Sequence, residues 1–281
     1  MSSELNLSIA LAAHANAYCH NCLAAAELAS LIDGPAFRTV TALQFSEWPL
    51  RPPFEAIRGW LRTLRRTNGE GSRQSLSEVI QEWLASLRRR HTERLRLEVT
   101  INSTDLPPAI AAAFANTNPT AIVVSGGQPH RLLPKWSSSG NGGSQVVYYP
   151  FAVTMQPPAA PVDVAATTET LRRQLAQARE FALAQDQPHW DKYLSKASTI
   201  LEESDPQSDL LPTCGYSAAA HRLASAASAA WVFGGMGSWN DMGFTDRAVE
   251  ERYRQVTNAL FSAVLDGYLV AANSFELPAK V

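Results

Sequence analysis

The chain has little cysteine, little lysine and no long apolar run, and each scarcity excludes something. Three cysteines cannot all pair within one chain, and a small secreted scaffold stapled by disulfides would carry more of them. A reducing, cytoplasmic location is the simpler expectation. Lysine supplies only four of the 24 basic residues, and the formal net charge is -2. No overall basic excess therefore draws the chain to nucleic acid or to an anionic membrane. No run of about 18 uncharged apolar residues occurs, so no membrane-spanning helix is expected. Leu7 to Ala17 is apolar and ends on small residues that mimic a signal-peptidase site. It lacks the positive segment of a signal peptide, because no Lys or Arg precedes Arg38, and His14 interrupts it. That stretch reads as a helix.

Familiar catalytic and cofactor signatures are missing as well. There is no phosphate-binding P-loop, no dinucleotide-binding GxGxxG and no GxSxG nucleophile turn. Cys19 and Cys22 have the spacing of a redox or metal pair. A structural zinc site needs four ligands, and no second cysteine pair exists to complete one. A thioredoxin-like pair should open a helix after a strand, whereas this one lies within a helical pattern. Both read as small buried core residues. No metal and no cofactor are expected.

What is present is enough apolar material, 46% of the residues against 18% charged, for one large core or two moderate ones. Leu5 to Ile32 is rich in Ala and Leu and stops at Asp33, Gly34 and Pro35, which predicts one long helix. Phe37 to Phe45 alternates in part and predicts a strand. Helical spacing recurs over Phe54 to Leu64 and, more cleanly, over Leu76 to Leu87. Ser75 and Glu78 form a capping box at the start of the second pattern. Leu95 to Ile101 alternates apolar and charged residues as a half-buried strand. Pro108 to Phe114 predicts a short helix. Thr120 to Val124 is a continuous apolar run, suited to a strand covered on both faces. Ser137 to Ser144 reads as a polar loop, and Gln145 to Val153 as a strand broken at Pro150.

Three prolines fall within Gln156 to Pro161, where neither helix nor sheet interior would accept them. Beyond them every pattern is helical: Leu171 to Ala184 with a thin apolar stripe, Trp190 to Leu201, the small-residue stretch Tyr216 to Phe233, and Arg247 to Ala272 capped by Thr245 or Asp246. The expected fold is α+β or α/β. Residues 1–155 would form a small mixed sheet with helices, 156–167 a Pro-rich linker, and 168–281 a helical bundle. The charge divides mildly in the same way, with 14 Arg and Lys against 11 acids in residues 1–160 and 10 against 15 in residues 161–281.

Candidate sites are few. The segment from Trp231 to Phe244 holds four of fifteen glycines, two of seven tryptophans and two of four methionines. As a binding loop, its glycines would let a partner approach, Trp239 would anchor it, and Asn240 and Asp241 would hydrogen-bond to it. As a helix corner, Gly234 or Gly235 would end one helix in a left-handed cap with Trp231, Phe233 and Trp239 packed beneath. The corner carries the greater weight. Ser125, Gly126 and Gly127 follow the buried strand, where glycine amides can face an anion, and Arg131 and Lys135 could add charge there. An ordinary turn is the simpler reading. His189, Asp191, His221 and Asp241 are the polar residues to inspect for catalysis. The arginines between Arg51 and Arg96 are interleaved with glutamates and read as solvated helix faces, so nucleic acid is disfavoured.

These readings favour a non-catalytic, accessory, adaptor or immunity-type protein that binds a protein or peptide. An enzyme or binding protein for a small anionic substrate, using Ser125 to Gly127 and Arg131, is the alternative. Nucleic-acid binding through the arginine helices comes third.

Overall fold

The computed structural model describes residues 3–23, 25–46, 75–99, 120–139, 142–153, 162–234 and 237–277. The expected helices over Phe54 to Leu64 and Pro108 to Phe114, and the proline cluster from Gln156 to Pro161, lie outside them.

Helix α1 (Ser3–Cys19) is the element around which the N-terminal half is packed. Leu7, Ile9, Ala10, Leu11, Ala12, Ala13, Ala15 and Ala17 are all buried. A helix apolar on every side has no solvent face to present, so its polar residues must find partners inside the protein. They do. Ser8 Oγ lies 2.9 Å from Tyr148 Oη and 3.2 Å from Thr120 Oγ1. His14 Nδ1 lies 2.8 Å from the Ala10 carbonyl.

The expected single helix over Leu5 to Ile32 is instead two, α1 and α2 (Ala25–Asp33). Asn21 takes a left-handed conformation (φ 60°). Cys22 N then donates to Ala17 O at 2.9 Å and Asn21 N to Tyr18 O at 3.1 Å, the paired bonds of a Schellman ending. His91 and Asp186 (both φ 53°) end two later helices with the same bonds, Thr92 N to Leu87 O and Gln187 N to Ala182 O.

A 3₁₀ turn at Pro35–Phe37 shortens the first strand to β1 (Val40–Phe45). Helix α3 (Leu76–Arg89) starts with the expected capping box: Ser75 N donates to Glu78 Oε2 at 2.8 Å, and Glu78 N to Ser75 Oγ at 3.2 Å. Strands β2 (Arg94–Val99), β3 (Thr120–Ser125), β4 (His130–Ser139) and β5 (Gly143–Ala152) follow. The sheet order is β1-β5-β4-β3-β2, with β1 parallel to β5 and the other pairs antiparallel.

Strand β4 corrects the expected loop, because Ser137, Ser138 and Ser139 pair with Gln145, Ser144 and Gly143. Pro134 is tolerated just past the last β3–β4 pair, Leu132 with Ile122. Pro150 does not break β5. It sits within the ladder opposite Leu132.

The outer edge of β2 is closed by two asparagines. Leu95 N donates to Asn16 Oδ1 (2.7 Å) while Asn16 Nδ2 donates to Leu95 O (2.9 Å). Leu97 exchanges the same pair of bonds with Asn273, at 2.8 and 2.9 Å. Residues 95 and 97 point the same way along the strand, so each side-chain amide stands in for one residue of an absent neighbouring strand. That removes the pairing template an open edge would offer.

The C-terminal helices are α4 (Val164–Ala184), α5 (Pro188–Ile200), α6 (Ala218–Ala229) and α7 (Arg247–Asn273). Helix α4 begins inside the expected linker, capped by Asp163, which accepts from Ala166 N at 2.9 Å. Asp246 caps α7 through Ala248 N and Val249 N. The fold is α+β, with the sheet and three helices in the first half and four helices gathered after it among the described residues. Buried residues of α1, α3, the sheet and α4 to α7 belong to one contiguous core, and α7 reaches both α1 and β2.

Candidate functional site

The described part of the glycine-aromatic segment, residues 231–234 and 237–244, is a packed corner between α6 and α7, and Gly235 lies outside the described residues. Gly234 (φ 94°) and Gly237 (φ 78°) turn the chain in left-handed conformations, and Trp239 enters a short 3₁₀ turn. Trp239 is fully buried, at 0% exposure. Its amide donates to Val232 O (3.0 Å), its indole Nε1 donates to Thr257 Oγ1 (2.8 Å), and its carbonyl accepts from Tyr253 Oη (2.6 Å). Burial raises the Tyr253 pKa to about 12, so the phenol keeps the proton it donates. Trp190, Phe181 and Tyr253 surround the indole at ring distances of 5.9, 6.3 and 6.1 Å. An anchor for a partner must be reachable, and this ring is not. Asn240 is half-buried, and Asp241 is exposed while accepting from Ser238 N at 3.0 Å.

Ser125, Gly126 and Gly127 begin the turn joining β3 to the antiparallel β4, so the crevice of a parallel sheet, where α/β ligands gather, does not form here. Their glycines are needed for another reason. A Cβ on Gly126 would lie 2.6 Å from Glu93 N, and one on Gly127 2.0 Å from Arg90 O. The backbone following α3 therefore fills the space an anion would need, and it presents carbonyl oxygens there. Ser125 Oγ donates to Arg94 O (2.9 Å). Arg131 donates to Glu98 Oε2 at 2.7 Å, which offsets the charge it would have lent. The structure keeps Ser125 to Gly127 together in one turn but pairs Arg131 with Glu98.

The polar residues inspected for catalysis are each held by separate partners. Asp191 accepts from Arg179 Nε at 2.7 Å. His189 is exposed and packs against Trp190 at 4.6 Å. His221 is buried, accepts from Ser208 N at 3.2 Å, and its pKa is lowered by burial. Among the described residues, no group of three or more His, Cys, Asp and Glu is placed to hold a metal ion. Cys22 is not the unpaired core thiol expected: it forms a disulfide with Cys214. Sequence spacing could not reveal a pair 192 residues apart. Cys19 stays free and half-buried. Arg88 at the end of α3 donates to Tyr18 O and lies 3.7 Å over the Tyr18 ring.

A concave surface that the sequence reading missed lies between the C-terminal half of α4 and the first turns of α7. This open groove of about 340 Å³ is lined by apolar Phe181, Ala184, Ala248 and Val249 together with Gln177, Glu180, Gln185 and Arg252. Its trace in the sequence is the thin apolar stripe of α4, whose buried face is Leu171, Leu175, Ala178, Phe181 and Ala182. Comparison with family models, with curated proteins and with solved structures gives no match. Among the described residues, no helix is long and apolar enough to cross a membrane.

Proposed function

We propose that this chain is a non-catalytic accessory protein that recognises another protein or a peptide through the α4–α7 groove. The observation that carries the reading is the groove's lining, apolar side chains beside hydrogen-bonding amides and one charge of each sign. Such a surface suits an extended or helical segment, whose apolar side chains meet the apolar lining while its polar groups meet the amides and charges. It is too open to exclude water from a reacting centre.

The alternative, a small anionic substrate held by Ser125 to Gly127 and Arg131, draws no support from a turn crowded by carbonyls and an arginine already paired with Glu98. Nucleic-acid binding is not favoured by Arg88, which is engaged with Tyr18. A cytoplasmic location, expected from the few cysteines, is the part of the reading against which the Cys22–Cys214 bond weighs.

A photo-crosslinking residue at Arg252, compared with one at exposed Thr199 on α5, tests the reading. Arg252 should capture a partner that Thr199 does not. The purified partner should then lose at least about tenfold in affinity to Ala184→Glu, which alters the apolar lining. Equal capture at both positions, or affinity untouched by Ala184→Glu, overturns the groove as the binding surface.

A further inference from the structure

Cys22 and Cys214 join the turn after α1 to the segment before α6, closing a loop of 192 residues. Several weaker contacts converge on the same place. Thr213 N donates to Glu27 Oε1 at 2.8 Å. Glu276 N donates to Gly215 O at 2.9 Å. The His20 ring stacks on Phe275 with centroids 5.3 Å apart, and His20 Nε2 lies 2.8 Å from Glu93 O. Gly215 (φ +83°) lies so close to Phe275 that a Cβ would come within 2.1 Å of its ring. The 213–216 segment is thus held between the α1–α2 turn and the C-terminal tail.

Apart from the disulfide, Thr213 to Gly215 rests on single hydrogen bonds, whereas Tyr216 and Phe275 are buried with their rings 5.6 Å apart and Tyr216 Oη donates to Ala272 O at 3.1 Å. Thr213 is exposed, and Cys22, Cys214 and Gly215 are half-buried, so the bond is not sealed inside the core. The helices behind it are held differently. Ala220, Leu223, Ala224 and Ala227 of α6 and Val264, Tyr268 and Ala271 of α7 are buried at 1% exposure or less. Cys19, three residues before Cys22, does not compete for the bond, because burial pushes its thiol up to about 11 and only the thiolate attacks a disulfide.

We propose that the Cys22–Cys214 disulfide is a redox-controlled clasp. It closes in an oxidising compartment, where the chain completes its folding, and reduction frees Thr213 to Gly215 while Tyr216, Phe275 and the helical core stay packed. Closure transfers two electrons and two protons from the Cys22 and Cys214 thiols to a low-molecular-weight disulfide, which becomes two thiols. Opening is the reverse, with an external dithiol taking the place of the product thiols and leaving as a disulfide.

The test starts from the full chain refolded with oxidised and reduced glutathione. A non-reducing peptide map should show Cys22 linked to Cys214 and Cys19 free. Adding dithiothreitol to the native protein should speed amide exchange at least about tenfold in residues 213–215, with 274–277, α4, α6 and α7 unchanged. The thermal midpoint should fall by on the order of 10 °C, because so long a loop regains its entropy in the unfolded chain. Cys214→Ser should reproduce the reduced pattern and be insensitive to dithiothreitol. The proposal is overturned by a different pairing in the map, by exchange that reduction leaves unchanged, or by reduction that unfolds α6 and α7 as well. A Cys214→Ser protein that keeps the oxidised exchange pattern, or that fails to fold, counts against it equally.

Discussion

Trp239 shows how a conspicuous residue can be structural in every atom. Its amide, carbonyl and indole N–H all have protein partners, and three aromatic rings enclose it. Trp239→Ala should cost roughly 3–5 kcal/mol, through lost burial and the cavity left behind. A thermal midpoint within a degree or two of wild type would refute the packed-corner account. The density of glycine and tryptophan in the sequence marks the segment. Which way the indole points depends on Thr257 and Val232, and neither can be located from the segment itself.

Titration gives a second test at this scale. Burial raises the Glu4 carboxyl to about 7 from its ordinary value of 4.5. Between those pH values the folded chain keeps a proton that the unfolded chain has lost, so this group's contribution to stability declines as pH rises through the window. Glu4→Gln should therefore gain on wild type steadily from pH 4.5 to 7 and level off above. A gap in melting temperature independent of pH would contradict this. Buried His14, His130 and His221 work in the opposite sense, each lowered below 6.5 by burial. Below pH 6.5 the unfolded chain binds protons that the folded one resists, so their contribution is lost as pH falls.

Among the elements, β2 depends most on side chains from elsewhere. Asn16 of α1 and Asn273 of α7 each satisfy one donor and one acceptor on its outer edge. Removing either amide leaves a backbone N–H and C=O without partners. Asn273→Ala should cost about 2–4 kcal/mol and speed amide exchange at Leu97 before that at Ile122. If exchange at Leu97 does not change, the asparagine is not closing the edge. Helix starts were legible because their signals are local: Ser75 with Glu78, and Asp246. Helix ends at Asn21, His91 and Asp186 were harder to read, because residues other than glycine hold the left-handed position. Strand β4 was hidden because Pro134 and three serines look like a loop until β5 lies beside them.

At the scale of the molecule, the first half and the helices share one core. Arg94 donates to the Asn273 and Phe275 carbonyls at 2.7 and 3.2 Å, and the disulfide joins the same two regions. Residues 1–155 and 162–281 expressed separately should therefore not unfold cooperatively, since each would expose apolar surface that the other covers. Mixing them should restore a melting transition. A cooperative transition in either piece alone would show two independent domains.

Composition and pattern by themselves determined an α+β chain with its sheet first and its helices last, because side-chain periods of 2.0 and 3.6 residues are local properties of the backbone. They also placed the cap at Ser75 and the buried run of β3, which need only near neighbours in sequence. Tertiary structure alone decided that α1 is enclosed rather than half-exposed, and that Trp239 faces inward. It also decided that Arg131 is spent on Glu98, and that Cys22 meets Cys214 across the length of the chain. Each of those depends on which distant segment lies opposite, and that is settled by packing the whole core at once.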